Sequence, residues 1–236
     1  MRILVTNDDG IRAPQLVKLV QWAQTIGEVT VVAPKVEQSG KSQGIELHEP
    51  FEVKQVEIFP GFYGWSVDST PADCIRYAVF GLKQTFDLVI SGINRGFNMG
   101  TDIMYSGTCG AVFESVSLGM KAIALSTSPE YYENATGHLD QVFDYIFQKD
   151  LLSLCNAYNV NITSPGNEIL ITRQGGHYYS DDFVNVGGDL YQAKGKCVYQ
   201  DSNDVALDTD AVMHGYISVM PMTINRCDMN VYQKLK

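Results

Sequence analysis

Two adjacent carboxylates, Asp8 and Asp9, follow directly on an apolar run in the opening stretch "RILVTNDDG". Side by side, each disfavours ionisation of the other. A divalent cation turns that repulsion into a shared attraction, so the pair calls for more oxygen donors. The sequence supplies them after other strand-like runs: Ser39 in "VVAPKVEQSG", then Asn94 and Asn98 in "VISGINRGFN". Asp, Asp, Ser and Asn form a hard-oxygen set suited to Mg2+, Mn2+ or Ca2+. The plainer alternative has both aspartates solvated and capping a helix that begins near Pro14. The further donors at strand ends weigh against it.

A second constellation is "YSGT", residues 105–108, just ahead of a predicted helix. A helix N-terminus presents free N–H groups and a positive dipole end to a phosphate. Ser106 and Thr108 add hydroxyls, Gly107 permits close approach, and Asn98 stands nearby in sequence. By itself the stretch equally describes an ordinary Ser/Thr N-cap; beside a metal site, a phosphate cradle is the better reading. The glycines of this region match neither G-x-G-x-x-G nor a Walker loop, so a dinucleotide or P-loop site has little support. Arg95 is a further candidate phosphate contact, weighed evenly against a plain surface arginine. The aromatic residues of 178–201, Phe183 among them, could stack on a base or serve a subunit contact.

These donors need elements to carry them. "RILVT" (2–6) and "EVTVVAP" (28–34) read as strands flanking an amphipathic helix over 14–27, where Leu16, Leu19, Val20 and Ala23 share one face. Strand-like runs at 86–92 and 121–127 alternate with predicted helices at 69–82, 107–119 and 138–152. Thr70 and Pro71 form a clean helix start at the first of these. Residues 44–67 read as short strands and turns outside the main sheet. The last third is strand-rich, with an aromatic hairpin predicted at 178–201. The expectation is one α/β domain over 1–236: a doubly wound, mostly parallel sheet with a β-rich extension from about 160. In such sheets ligands bind beyond the carboxyl ends of the strands, where these oxygen donors fall.

Bulk properties narrow the partners. The 236 residues carry 17 basic and 27 acidic side chains, a formal charge of −10. No basic stripe is present, which argues against a nucleic-acid polymer or an anionic membrane as partner. The five cysteines are widely spaced, without C-x-x-C, and the four histidines are scattered. That excludes an obvious zinc site or disulfide framework and fits a reducing compartment, here the cytoplasm. The chain opens on a strand instead of a signal-like segment, and no apolar run reaches membrane-spanning length.

The stretches "RILVTNDDG", "VVAPKVEQSGKS", "DSTPADC", "VISGINRGFNMGTDIMYSGT" and "GYISVMPM" resemble, in order, the signatures of the SurE survival-protein family. The resemblance implies a Rossmann-like fold with a C-terminal β-hairpin extension. It implies a metal-dependent 5′/3′-nucleotidase that hydrolyses nucleoside monophosphates with a metal-activated water. One divalent ion, Mg2+ or Mn2+ with Ca2+ able to stand in, is expected on Asp8, Asp9, Ser39 and Asn94. Asp8 and Asp9 are also the candidate catalytic carboxylates, and Asn98, Ser106, Gly107 and Thr108 the phosphate contacts. The family forms dimers or tetramers by exchanging C-terminal elements. Cys109 and Ser115 depart from the small aliphatic residues usual after "YSGT".

Two other classes stay open from the residues alone. A phosphoacceptor regulatory domain also ends its first strand in an acidic pair, but needs an aspartate where this chain has Ser91-Gly92-Ile93-Asn94. A nucleotide-binding module without catalysis needs none of the metal chemistry.

Overall fold

A computed structural model describes every residue except Pro165 and Asn167. Its frame is a twisted sheet assembled from Arg2–Thr6 (β1), Glu28–Pro34 (β2), Val53–Phe59 (β3), Phe62–Val67 (β4), Leu88–Arg95 (β5), Lys121–Thr127 (β6), Ala157–Ile162 (β7), Ile169–Ile171 (β8) and Ile217–Met222 (β11). The order across the sheet is β3-β4-β2-β1-β5-β6-β7-β11-β8. Pairings are parallel except β3 with β4 and β11 with β7. The hairpin of Tyr179–Gly187 (β9) and Leu190–Cys197 (β10) stands apart as an antiparallel ribbon. This is the doubly wound α/β fold with a late hairpin that the alternating elements imply.

One expectation fails: residues 44–67 are no excursion. β4 pairs in parallel with β2, and β3 closes that edge antiparallel, so the hairpin extends the main sheet. β3 lacks the continuous apolar run of the central strands because it is an edge strand with an exposed face.

Alternation along β1 sorts the core into two layers. Ile3 and Val5 face one side, packed with Leu16, Leu19 and Val20 of Pro14–Ala23 (α1) and Leu139, Val142 and Phe143 of Leu139–Gln148 (α4). Leu4 faces the other, among Cys74 and Ile75 of Pro71–Arg76 (α2) and Ala111 and Val112 of Gly107–Ser117 (α3). All these strand residues are fully buried, and each such aliphatic side chain contributes about 1.5–3 kcal/mol. Thr70 caps α2 as expected, accepting from the Asp73 N–H, but the helix passes into a π-turn at Tyr77–Gly81. The expected 138–152 helix breaks at Lys149 and Asp150 before the short Leu151–Leu154 (α5). Asp208–Met213 (α6) and Met229–Leu235 (α7) complete the chain.

From β1 the chain winds outward to β2, then returns to the other side of β1 with β5. The β1–β5 boundary is therefore the topological switch point, where a crevice opens beyond the strand ends.

Candidate functional site

Asp8 and Asp9 emerge at that switch point in a turn closed by Asn7. The Asn7 side-chain amide donates to the Gly10 carbonyl at 2.9 Å, and its Oδ1 accepts from the Gly10 N–H at 3.1 Å. Neither aspartate caps α1, whose N-cap is Ala13 with no side-chain bond. The solvated-cap alternative is thereby removed.

The two carboxylates face different surroundings. Asp8 is buried, with Oδ1 accepting from the Thr108 hydroxyl at 2.5 Å and Oδ2 from the Thr108 N–H at 3.2 Å. Burial pushes its pKa up to about 6; the Thr108 hydroxyl opposes that rise and the Asp9 charge adds to it. Desolvation thus outweighs the like-charge repulsion that the sequence makes conspicuous. Asp9 is half-buried, and its Oδ2 accepts from the Arg95 N–H at 3.2 Å and the Tyr132 hydroxyl at 3.3 Å. Burial raises its pKa as well, and the Arg95 N–H opposes the rise.

The other proposed ligands arrive on neighbouring strand ends. Ser39 follows β2; the Gln38 N–H donates to the Asp8 carbonyl at 2.7 Å and so ties this loop to the acidic turn. The exposed Ser39 hydroxyl donates to Glu37 Oε1 at 2.6 Å. Asn94 ends β5 beyond a bulge: Ser91 pairs with Ala124, but Asn94 with Ser126, one residue more on β5 than on β6. A bulge re-aims the side chains beyond it. The Asn94 amide nitrogen donates to the Gly96 carbonyl at 2.8 Å, and its Oδ1 accepts from no described residue. Asp8, Asp9, Ser39 and Asn94 all line one cleft of about 1180 Å³.

The expected cradle divides. Ser106 is the N-cap of α3, its Oγ accepting from the Cys109 N–H at 3.1 Å, and it lines the cleft. Gly107 lies against the acidic turn: a Cβ there would sit 3.0 Å from Asp8 Cβ and 3.2 Å from the Gln38 carbonyl. The Thr108 hydroxyl is engaged by Asp8 and fully buried, so it faces the carboxylate and not the cleft. Asn98 lines the cleft with one amide hydrogen on Ser126 Oγ at 2.8 Å.

Sequence reasoning missed what holds Asn98. Asn159 and Asn161 of β7, both fully buried, donate to the Asn98 carbonyl at 2.7 and 2.8 Å, and Asn161 Oδ1 accepts its N–H at 3.0 Å. The signal was two asparagines inside the apolar run "AYNVNI", since a buried amide needs partners. A second missed residue is Asp208 of α6, fully buried, which accepts from the Gly100 N–H at 2.9 Å and the Gly175 N–H at 2.7 Å. Asp102 likewise accepts from the Tyr178 and Tyr179 N–H groups, anchoring the base of the hairpin beside the cleft. Phe97, Tyr105 and Tyr179 supply aromatic surface to its walls, and Arg95 lines it too. Cys74 and Cys109 are buried, and desolvation raises both thiols, Cys109 up to about 12.

A doubly wound α/β fold with an oxygen-rich, acidic cleft at its switch point defines a protein that handles small polar ligands at strand ends. Comparison with known proteins gives the particular family. The family model described as survival protein SurE matches residues 3–181. The chain is 36% identical to the 5′-nucleotidase SurE of Thermosipho melanesiensis over 95% of this chain and 92% of that protein. It is 34% identical to that of Petrotoga mobilis, over 100% of this chain and 98% of the other. The crystal structure of the SurE protein from Aquifex aeolicus aligns with a TM-score of 0.77 at 31% identity, covering 100% of this chain and 98% of that one. The chain belongs to the SurE survival-protein family.

Proposed function

We propose that this protein is a metal-dependent phosphomonoesterase that hydrolyses nucleoside monophosphates to nucleoside and inorganic phosphate. The observation that carries this reading is the convergence of Asp8, Asp9, Ser39 and Asn94, from three strand ends, on one cleft beside the α3 N-terminus. Relatives named 5′-nucleotidases point to the same reaction class.

The donor set fits a hard divalent cation, Mg2+ or Mn2+: two carboxylates with neutral hydroxyl and amide oxygens. Asn94 offers Oδ1 because its nitrogen is engaged elsewhere, and Asp9 Oδ1 accepts no hydrogen bond from any described residue. When bound, the ion would polarise a phosphoryl oxygen and lower the pKa of a water. Asp9, the more exposed carboxylate, would receive the proton of the attacking water. The Ser106 hydroxyl and the Gly107 N–H, the one early α3 amide not already given to Asp8 or Ser106, would hold the equatorial oxygens, where charge must be stabilised in phosphoryl transfer. Phe97, Tyr105 and Tyr179 would present flat apolar surface to the base. The buried thiols are poor nucleophiles, which favours direct attack by water.

Two further parts of the reading concern assembly and location. Phe183, Val184, Val186, Leu190 and Tyr191 are exposed on the hairpin, and Val231, Tyr232 and Leu235 on α7. Apolar surface on this scale supports a homodimer or homotetramer covering it. Five free cysteines support a reducing compartment, the cytoplasm. Among the described residues no helix is long and apolar enough to cross a membrane.

Phosphate release from a panel of 5′- and 3′-nucleoside monophosphates, under Mg2+, Mn2+ and EDTA, tests the proposal. Release that EDTA abolishes is expected. Tight nucleotide binding without release would make the protein a binding module instead.

A further inference from the structure

The 3-10 turn Tyr132–His138, between β6 and α4, belongs to none of the stretches that carry the ligands, yet it reaches them through one side chain. Tyr132 is buried, and its hydroxyl donates to Asp9 Oδ2 at 3.3 Å. With the Arg95 N–H on Oδ2 as well, both donors grip one carboxylate oxygen of a residue that lines the cleft, and Oδ1 accepts from no described residue.

The turn itself is bolted to α1. Lys18 Nζ donates to the Glu133 carbonyl at 2.9 Å and to Glu133 Oε2 at 3.2 Å, and Gln15 Nε2 reaches that carboxylate at 3.2 Å. Tyr132 and Glu133 are adjacent but do different work: Glu133 anchors the turn outward on α1, and Tyr132 points inward to the site. The phenol is thereby set in place by contacts that involve no ligand. Donors behind a ligating carboxylate orient it for its ion, and losing such a partner typically costs about 10–100-fold in metal affinity or activity.

We propose that Tyr132 is a positioning residue for Asp9, holding its Oδ2 so that Oδ1 is presented to the cation and the water. This rests on the metal-dependent reading above. Tyr132 takes no proton in the reaction and touches no substrate; it acts through the geometry of Asp9. The turn after β6 therefore belongs to the functional site, although the resemblance in sequence assigns it nothing.

Tyr132→Phe keeps the ring and its packing and removes only the donor. Mn2+ binding, by titration calorimetry on the full-length protein, is the primary readout, with kcat and KM for a nucleoside monophosphate beside it. The expected result is Mn2+ affinity weaker by about tenfold, lower kcat at a fixed metal concentration, KM changed less than twofold, and recovery of kcat in excess Mn2+. Glu133→Ala, which loosens the bolt and leaves the phenol, should move Mn2+ affinity in the same direction by a smaller factor. A merely structural tyrosine would lower the melting temperature and leave both the Mn2+ affinity and the recovery untouched, which overturns the assignment. Wild-type protein that binds no Mn2+ overturns the metal-dependent reading itself, and this assignment with it. Wild-type binding with unaltered affinity in Tyr132→Phe overturns this assignment alone.

Discussion

The Thr108 side chain and Asp8 form a closed pair: hydroxyl to Oδ1 at 2.5 Å and backbone N–H to Oδ2 at 3.2 Å, at a position fully shielded from solvent. The start of α3 thus meets the end of β1 through one carboxylate, and Gly107 leaves the room for it. A threonine read in sequence as a phosphate contact has its hydroxyl engaged on the neighbouring acid.

Thr108→Val keeps the shape and removes that donor. A hydrogen bond to a charged group is worth about 1.5–3 kcal/mol, or about one to two decades in affinity. Mn2+ binding should weaken by that order, while competitive inhibition by inorganic phosphate changes little. Calorimetric Mn2+ titration and phosphate inhibition on one preparation check this. Unaltered metal affinity with relieved phosphate inhibition would instead assign the hydroxyl to phosphate.

Asp8→Asn should abolish hydrolysis and change the pH dependence of stability. Burial raises the Asp8 pKa from 3.8 to about 6, so the folded protein favours the protonated form. Stability from this group is full below about pH 4 and lost as pH rises through 6, an effect on the order of 3 kcal/mol. In EDTA, wild-type protein should therefore gain stability between pH 7.5 and pH 5 relative to Asp8→Asn. Parallel melting curves in the two variants would expose an error in the burial argument.

Ser39→Ala and Asn94→Ala each remove a neutral donor and spare the acidic pair. Activity should fall about five- to tenfold, the worth of one uncharged interaction near 1 kcal/mol, and recover partly in excess Mn2+. Asn94→Ala should have the larger effect because it also frees Gly96. If the Mn2+ dependence of rate stays superimposable on wild type in both, these strand ends do not share an ion.

Trimming the hairpin tip between Val186 and Leu190 should lower the oligomeric mass measured by light scattering. The base of the hairpin, where Tyr179 and Gly195 line the cleft, is left alone. Unchanged subunit number would clear the hairpin of a role in assembly.

The parts legible in sequence were those written locally. Alternating apolar runs mark the strands, Thr70 with Pro71 marks the α2 start, and oxygen-bearing side chains at strand ends mark the carboxyl edge of the sheet as the ligand side. The parts that were not legible depend on partners remote in the chain. β3 and β4 were misplaced because an edge hairpin and a detached one share the same alternation, and only pairing with β2 separates them. The commitment of Thr108 to Asp8 spans 100 residues, and that of Tyr132 to Asp9 spans 123. No periodicity encodes such contacts. Asn159 and Asn161 left a trace only as polar interruptions in a buried strand.

Asp208 ties Gly100 and Gly175 to α6, so the loop that bears Asn98 is held by a carboxylate 108 residues further along the chain. This has a consequence for order of synthesis. A nascent chain that has left the ribosome only as far as residue 200 already contains every proposed ligand and phosphate contact. It lacks the buried carboxylate that accepts from Gly100, and also β11, the antiparallel partner of the β7 strand carrying Asn159 and Asn161. The amino-terminal portion can be translated, and its early strands paired, well before the cleft acquires its final walls. Competence of the site is thus coupled to synthesis of the segment that carries α6 and β11.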